Sequence, residues 1–160
     1  MSRKPVIAGN WKMYKTQVEV ISTIEELRAL VEGYGEVEVV VCPTFTSLSA
    51  AANALRGSSI GLGAQNVHWE EEGAFTGEIS AEMLLDVGCQ YAIIGHSERR
   101  QYFSEPDEMV SKKLQKLIKT SLTPILCVGE TLEEREAGRV EEATLLSRGS
   151  YPLRPWAPGT

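Results

Sequence analysis

The chain has 160 residues, 42% apolar and 24% charged, with a net charge of −6 from 16 basic and 22 acidic side chains. That length suits one domain with its own core, and the composition excludes a collagenous, wholly disordered or multi-span membrane chain. No basic stripe offers a footprint for nucleic acid, and no apolar run approaches the ~20 residues needed to cross a bilayer.

The opening segment, MSRKPVIAGNWKM, has no apolar signal core, so a cytoplasmic location is expected. The cysteines, Cys42, Cys89 and Cys127, form no CxxC pair, and the only histidines are His68 and His96. Neither a disulfide frame nor a metal site is expected from that set. Cys42 and Cys127 stand in apolar runs and read as buried thiols.

Five short runs rich in β-branched residues read as strands: Pro5–Gly9, Val37–Cys42, Ile60–Ala64, Tyr91–Gly95 and Pro124–Val128. Most hardly alternate between apolar and polar, as strands buried on both faces do not. Helical patterns lie between them. Gln17–Glu32 puts Val20, Ile24, Leu27 and Val31 on one face, opened by a capping box of Thr16 and Glu19 and stopped at Gly33. Leu48–Leu55 and Ser80–Val87 are shorter helices. Asp107–Thr120 turns Val110, Leu114, Leu117 and Ile118 inward and its lysines outward. Thr131 and Glu134 suggest a second capping box. This alternation predicts an α/β protein with a parallel sheet. Two architectures fit it: a five-stranded doubly wound sheet, or part of a (β/α)8 barrel.

The segment from Ala143 to Thr160 has two arginines, no acidic residue and three of the seven prolines. It has no strand or helix period and reads as an irregular tail, which divides the chain into residues 1–142 and 143–160. Its PxxP pair, Pro152 and Pro155, reads as part of that tail.

Sites in α/β proteins gather at the carboxyl ends of strands. Those positions hold Asn10, Trp11 and Lys12; Gln65 and Asn66; His96, Ser97, Glu98 and Arg99; and Gly129 and Glu130. Lys12 can neutralise a substrate phosphate or a developing oxyanion. Asn10 can donate to a substrate oxygen or bond its own turn. His96 precedes a helix start, whose dipole favours the neutral imidazole, a donor able to polarise a carbonyl. Glu98 reads as an ion-pair partner for Lys12, and Glu105 as one for Arg99. His68 reads as structural. The glycine-flanked loop Gly73–Ile79 presents Phe75, either to a partner or back onto its own domain. Phosphate-loop, dinucleotide, zinc-protease and serine-hydrolase motifs are absent from the sequence.

AGNWKM at 8–13, CPTF at 42–45, GAQN at 63–66, GAFTGEIS at 73–80, YAIIGHSERR at 91–100 and PILCVGETLEEREAG at 124–138 occur in that order. Through these segments the chain resembles the triosephosphate isomerase family over about residues 4–142. The resemblance implies a (β/α)8 barrel, here about five βα units, and a cofactor-free interconversion of dihydroxyacetone phosphate and glyceraldehyde 3-phosphate in glycolysis and gluconeogenesis. It implies His96 as the neutral electrophile and Glu98 as the catalytic carboxylate that pairs near Lys12, with Asn10 and Lys12 as substrate-binding residues. It also implies a homodimer in which the Gly73–Ile79 loop enters the partner subunit.

A complete family member needs about 250 residues. The glutamate base of the family's sixth unit and the phosphate-binding amides of its seventh and eighth have no counterpart in this sequence after Val128. The expectation is a chain weak or inactive on its own. The alternatives are a non-catalytic fragment that pairs with a full-length subunit, and a different sugar-phosphate enzyme on a doubly wound sheet with Glu130 as base.

Overall fold

A computed structural model describes residues 4–130 and 132–138. The expected capping box of Thr131 and Glu134 and the tail from Ala143 lie outside what it describes. In chain order the elements are β1 (Val6–Asn10), α1 (Gln17–Val31), β2 (Glu38–Cys42), α2 (Leu48–Ala54), β3 (Gly61–Ala64), α3 (Ala81–Asp86), β4 (Tyr91–Ile94), α4 (Ser97–Tyr102), α5 (Asp107–Leu117), β5 (Thr123–Leu126) and α6 (Leu132–Glu136).

All five expected strands are present, with ends shifted by a residue or two. They pair parallel in the order β1-β2-β3-β4-β5. A doubly wound sheet reverses direction partway through its order. This one never does, so each strand is laid beside the last, as in a curling barrel wall.

Successive side chains on a strand point to opposite faces, and two apolar clusters follow from that. Val41, Leu62, Ala64, Ala92 and Ile94 face the helices and pack with Val20, Ile24, Leu84, Val110 and Leu117. Val40, Cys42, Tyr91 and Ile93 face the concave side, with Ile125 and Cys127 against them. On that side Tyr91 donates its hydroxyl hydrogen bond to Glu38. Burial, and then Glu38, pushes the Tyr91 phenol up to about 12.

The caps of α1 and α3 in the outer layer are local. Glu19 accepts from the Thr16 amide at 2.6 Å and from its hydroxyl at 2.8 Å, and Ser80 accepts from the Met83 amide at 3.3 Å.

Three expectations need correction. β1 is not buried on both faces: Val6 is 48% and Ile7 62% exposed, because β1 is an edge of the sheet. Lys113 does not point outward. It is 2% exposed and lies on the stripe with Val110, Leu114 and Leu117, whereas Ile118, expected inward, is 59% exposed. Cys127 is only half-buried, at the other edge, while Cys42 and Cys89 are buried. Burial pushes each of those two thiols up to about 12, so they stay protonated and unreactive.

Gly63 shows how tightly the concave face is filled. A Cβ there would lie 2.6 Å from the Cys42 sulfur and 3.3 Å from the Tyr91 Cβ. Gly63→Ala is therefore expected to cost about 1–3 kcal/mol in urea unfolding, as overpacked cores do. Adding Cys42→Ala should recover part of that loss, a coupling that a double-mutant cycle reads directly.

Candidate active site

β1 ends at Asn10 and the chain turns sharply through Lys12, which has φ 52°, a left-handed conformation uncommon for a side chain with a Cβ. Three hydrogen bonds hold it. The Asn10 side-chain oxygen accepts from the Lys12 amide at 3.0 Å. Gln65, just past β3, donates its amide to the Lys12 carbonyl at 2.9 Å and to the Cys42 carbonyl at 2.8 Å. The ends of β1, β2 and β3 are thus tied at one point, and the strain at Lys12 is held from both sides.

From there the Lys12 ammonium reaches Glu98 on α4 at 2.7 Å, the expected ion pair. The contact raises Lys12 above the ordinary lysine range and lowers Glu98 below that of glutamate. The pair is therefore fully charged at neutral pH. Both groups remain partly exposed to solvent, where an incoming anion can compete for the lysine.

β4 ends at Gly95, whose φ of +70° makes the turn into α4. A Cβ there would lie 3.0 Å from Val110 and 3.3 Å from the Cys127 carbonyl. His96 caps the helix: its Nδ1 accepts the Glu98 amide hydrogen at 3.2 Å. The same nitrogen is 3.6 Å from Glu98 Oε2. Because the Nδ1 lone pair is occupied by the amide, the neutral ring must carry its proton on Nε2. It offers Nε2–H outward as a donor.

A cleft of about 770 Å³ opens beside this histidine, lined by Gly95, Ser97, Arg100, Cys127, Gly129 and Glu130. Lys12 and Asn10 do not line it; they approach His96 from the β1 side through Glu98. Glu130 accepts a hydrogen bond from Arg135 Nε at 2.7 Å. Its own backbone amide and Arg135 lower its pKa, so it is a poor proton acceptor.

Behind the rim lies a buried network of which the sequence reading caught only one contact. Arg99 Nε donates to Glu105 at 2.8 Å, as expected. Lys113 also donates to Glu105, at 2.6 Å, and to the Asn66 side-chain oxygen at 2.7 Å. Lys113 and Glu105 are each 2% exposed. Burial drives the Glu105 carboxyl up, and Lys113 and Arg99 together bring it below the glutamate range. Burial pulls Lys113 down against the opposing charge of Glu105. The missed signal was positional: 110, 113, 114 and 117 form one helical face, so Lys113 stands on the apolar stripe.

His68 is buried and stacks at 4.1 Å on Trp69 and 4.5 Å on Phe75. Phe75 is half exposed, partly tucked onto its own domain and partly open. Among the described residues no helix is long and apolar enough to cross a membrane, and no cluster of metal ligands occurs.

A parallel sheet laid down in sequence order, with its polar groups gathered at the carboxyl ends of β1, β3 and β4, defines a (β/α)-barrel protein. A family model described as triosephosphate isomerase matches residues 5–147. The chain belongs to the triosephosphate isomerase family. It is 59% identical over 139 residues to the triosephosphate isomerase of Solibacter usitatus, covering 87% of this chain and 56% of that protein. It is 60% identical over 136 residues to that of Citrifermentans bemidjiense, covering 85% of this chain and 54% of the relative. The crystal structure of triosephosphate isomerase from Bartonella henselae matches with a TM-score of 0.83 at 42% identity, over 94% of this chain and 62% of that one. The chain thus spans little more than half the length of the curated relatives it matches.

Two outcomes follow from the geometry. Nitrogen-15 spectra of the neutral His96 ring should show a protonated Nε2 and a bare Nδ1; the opposite tautomer would rule out the Glu98 amide contact. Lys113→Met should cost about 3 kcal/mol, because it leaves the buried Glu105 carboxylate with Arg99 as its remaining cation and takes the donor from Asn66. A depressed carboxylate stabilises above its unfolded pKa and is lost as pH falls through its folded value. The Glu105 contribution should therefore hold at neutral pH and disappear below pH ~4, read by urea titration.

Proposed function

We propose that the described residues form the electrophilic and substrate-binding half of a triose-phosphate isomerase site. The reaction is the cofactor-free interconversion of dihydroxyacetone phosphate and glyceraldehyde 3-phosphate, a cytoplasmic step of glycolysis and gluconeogenesis. The observation that carries this reading is the linkage through Glu98. Its carboxylate holds Lys12, its backbone amide fixes the His96 tautomer, and Nε2–H is left to bond a substrate carbonyl oxygen.

In this reading His96 donates to the carbonyl and stabilises the negative charge that grows there when a proton leaves the adjacent carbon. Lys12 and Asn10 bind the substrate's anionic and polar groups, with Lys12 moving partly from Glu98 to the ligand. Glu98 positions both and is the second catalytic residue. The carbon-bound proton needs a base. Of the described residues lining the cleft, the carboxylate is Glu130, and Arg135 holds it. The alternative with Glu130 as base is disfavoured on that ground, and the doubly wound sheet it presumed is not observed. The half-exposed Phe75 supports a homodimer formed through the Gly73–Ile79 loop.

Among the described residues no unpaired carboxylate lines the cleft to serve as base, and a general base contributes typically ~10²–10⁴-fold. Purified chain should therefore turn over glyceraldehyde 3-phosphate slower than a complete relative by at least that factor. Residual turnover should disappear in His96→Gln. Turnover equal to that of a complete relative, or residual turnover indifferent to His96→Gln, would overturn this reading.

A further inference from the structure

We propose that Arg100 is the positioning residue of His96, holding the peptide groups on both sides of it so that the ring meets the Glu98 amide.

His96 stands between two peptide carbonyls, and Arg100 bonds both. The Gly95 carbonyl, just after β4, accepts from Arg100 Nε at 2.8 Å. The His96 carbonyl accepts from the Arg100 backbone amide at 3.1 Å, in the first turn of α4. Peptide groups are planar, so the directions of these two carbonyls fix both backbone dihedrals of His96. Those are φ −58° and ψ 140°, the extended conformation of a residue that caps a helix. The Cα–Cβ bond of His96 then has one direction, and Nδ1 reaches the Glu98 amide at 3.2 Å. That distance is at the long end of the hydrogen-bond range, so a small tilt of the Gly95–His96 peptide breaks the contact.

The guanidinium is itself anchored. Its Nη1 donates to Asp107, the first residue of α5, at 2.5 Å. A Cβ on Gly95 would lie 3.1 Å from its Nη2, so the group packs directly on the turn. The rigid planar fork serves two partners at once, Nε for the carbonyl and Nη1 for the carboxylate. Arg100→Lys leaves one nitrogen, drawn to the Asp107 carboxylate, and takes the donor from the Gly95 carbonyl. Arg100 thus sets the backbone of His96 against α5, and the Glu98 amide then sets the tautomer of its ring.

The positioning rests on this geometry alone; its effect on turnover rests on the isomerase reading. The Glu98 amide lies in the first turn of α4, where an amide has no intrahelical carbonyl, so its hydrogen exchange reports the bond to His96. In the full 160-residue chain, Arg100→Lys should speed exchange at Glu98 by about tenfold, the equivalent of one hydrogen bond, while the Leu114 and Leu117 amides of α5 keep their rates. Asp107→Asn keeps an acceptor for Nη1 and removes the charge, and it should leave Glu98 unchanged. In the unmutated chain, nitrogen-15 spectra should show an Arg100 Nε proton that exchanges slowly. Unchanged Glu98 exchange in Arg100→Lys, acceleration shared by the α5 amides, or equal acceleration in Asp107→Asn overturns the proposal. An Arg100 Nε proton that exchanges as fast as that of a solvated arginine overturns it too. Residual turnover of glyceraldehyde 3-phosphate in Arg100→Lys should fall in kcat with KM little changed. Turnover indifferent to Arg100→Lys while Glu98 exchange responds leaves the positioning standing and overturns His96 as the electrophile.

Discussion

Glu105 is a carboxylate almost fully withdrawn from water, and an isolated charge in that position is not tolerated. The chain answers by bringing Arg99 from α4 and Lys113 from α5 to it. Lys113 then reaches on to Asn66, just past β3. One buried charge thereby fixes the mutual placement of two helices and a strand end. His96 and Glu98 stand on the same short helix as Arg99, so the orientation of the rim is set from behind by this contact. A six-residue helix has little stability of its own and needs such an anchor.

The rim is coupled in a second way. Lys12 is held in a strained turn by Asn10 and Gln65, and its ammonium is met by Glu98. These contacts join the ends of β1, β3 and the α4 helix into one polar unit. The whole chain carries a net charge of −6, yet this unit gathers a lysine ammonium and a histidine ring at one partly exposed rim. Local donors, not overall charge, decide what such a site attracts.

The exposed β1 shows the opposite balance. Its sequence, VIAGN, has the apolar character of a fully covered strand, but only β2 lies beside it among the described residues. Apolar side chains that would be covered inside a closed wall remain partly open along it. The family relation and the openness of the two edges thus describe one physical fact: the residues are those of a closed wall, and the described arc is part of it.

Local pattern alone was enough to read five strands, their alternation with helices, the Thr16–Glu19 cap and the pairing of Lys12 with Glu98. Strand periodicity and cap chemistry depend on neighbours a few residues apart, and rim residues follow strand ends in the chain. The motif segments carried the family as well. Four things needed the folded structure. Sequential strand order chose the barrel wall over the doubly wound sheet, because short runs do not encode their neighbours. Lys113 was read as solvated because lysine ordinarily is; only the fold brings Glu105 and Asn66 to it. The His96 tautomer depends on an amide placed by the Gly95 turn. The exposure of β1 depends on what lies beside it. Composition and spacing determine which elements form, whereas burial, charge partners and free edges are properties of elements already packed together.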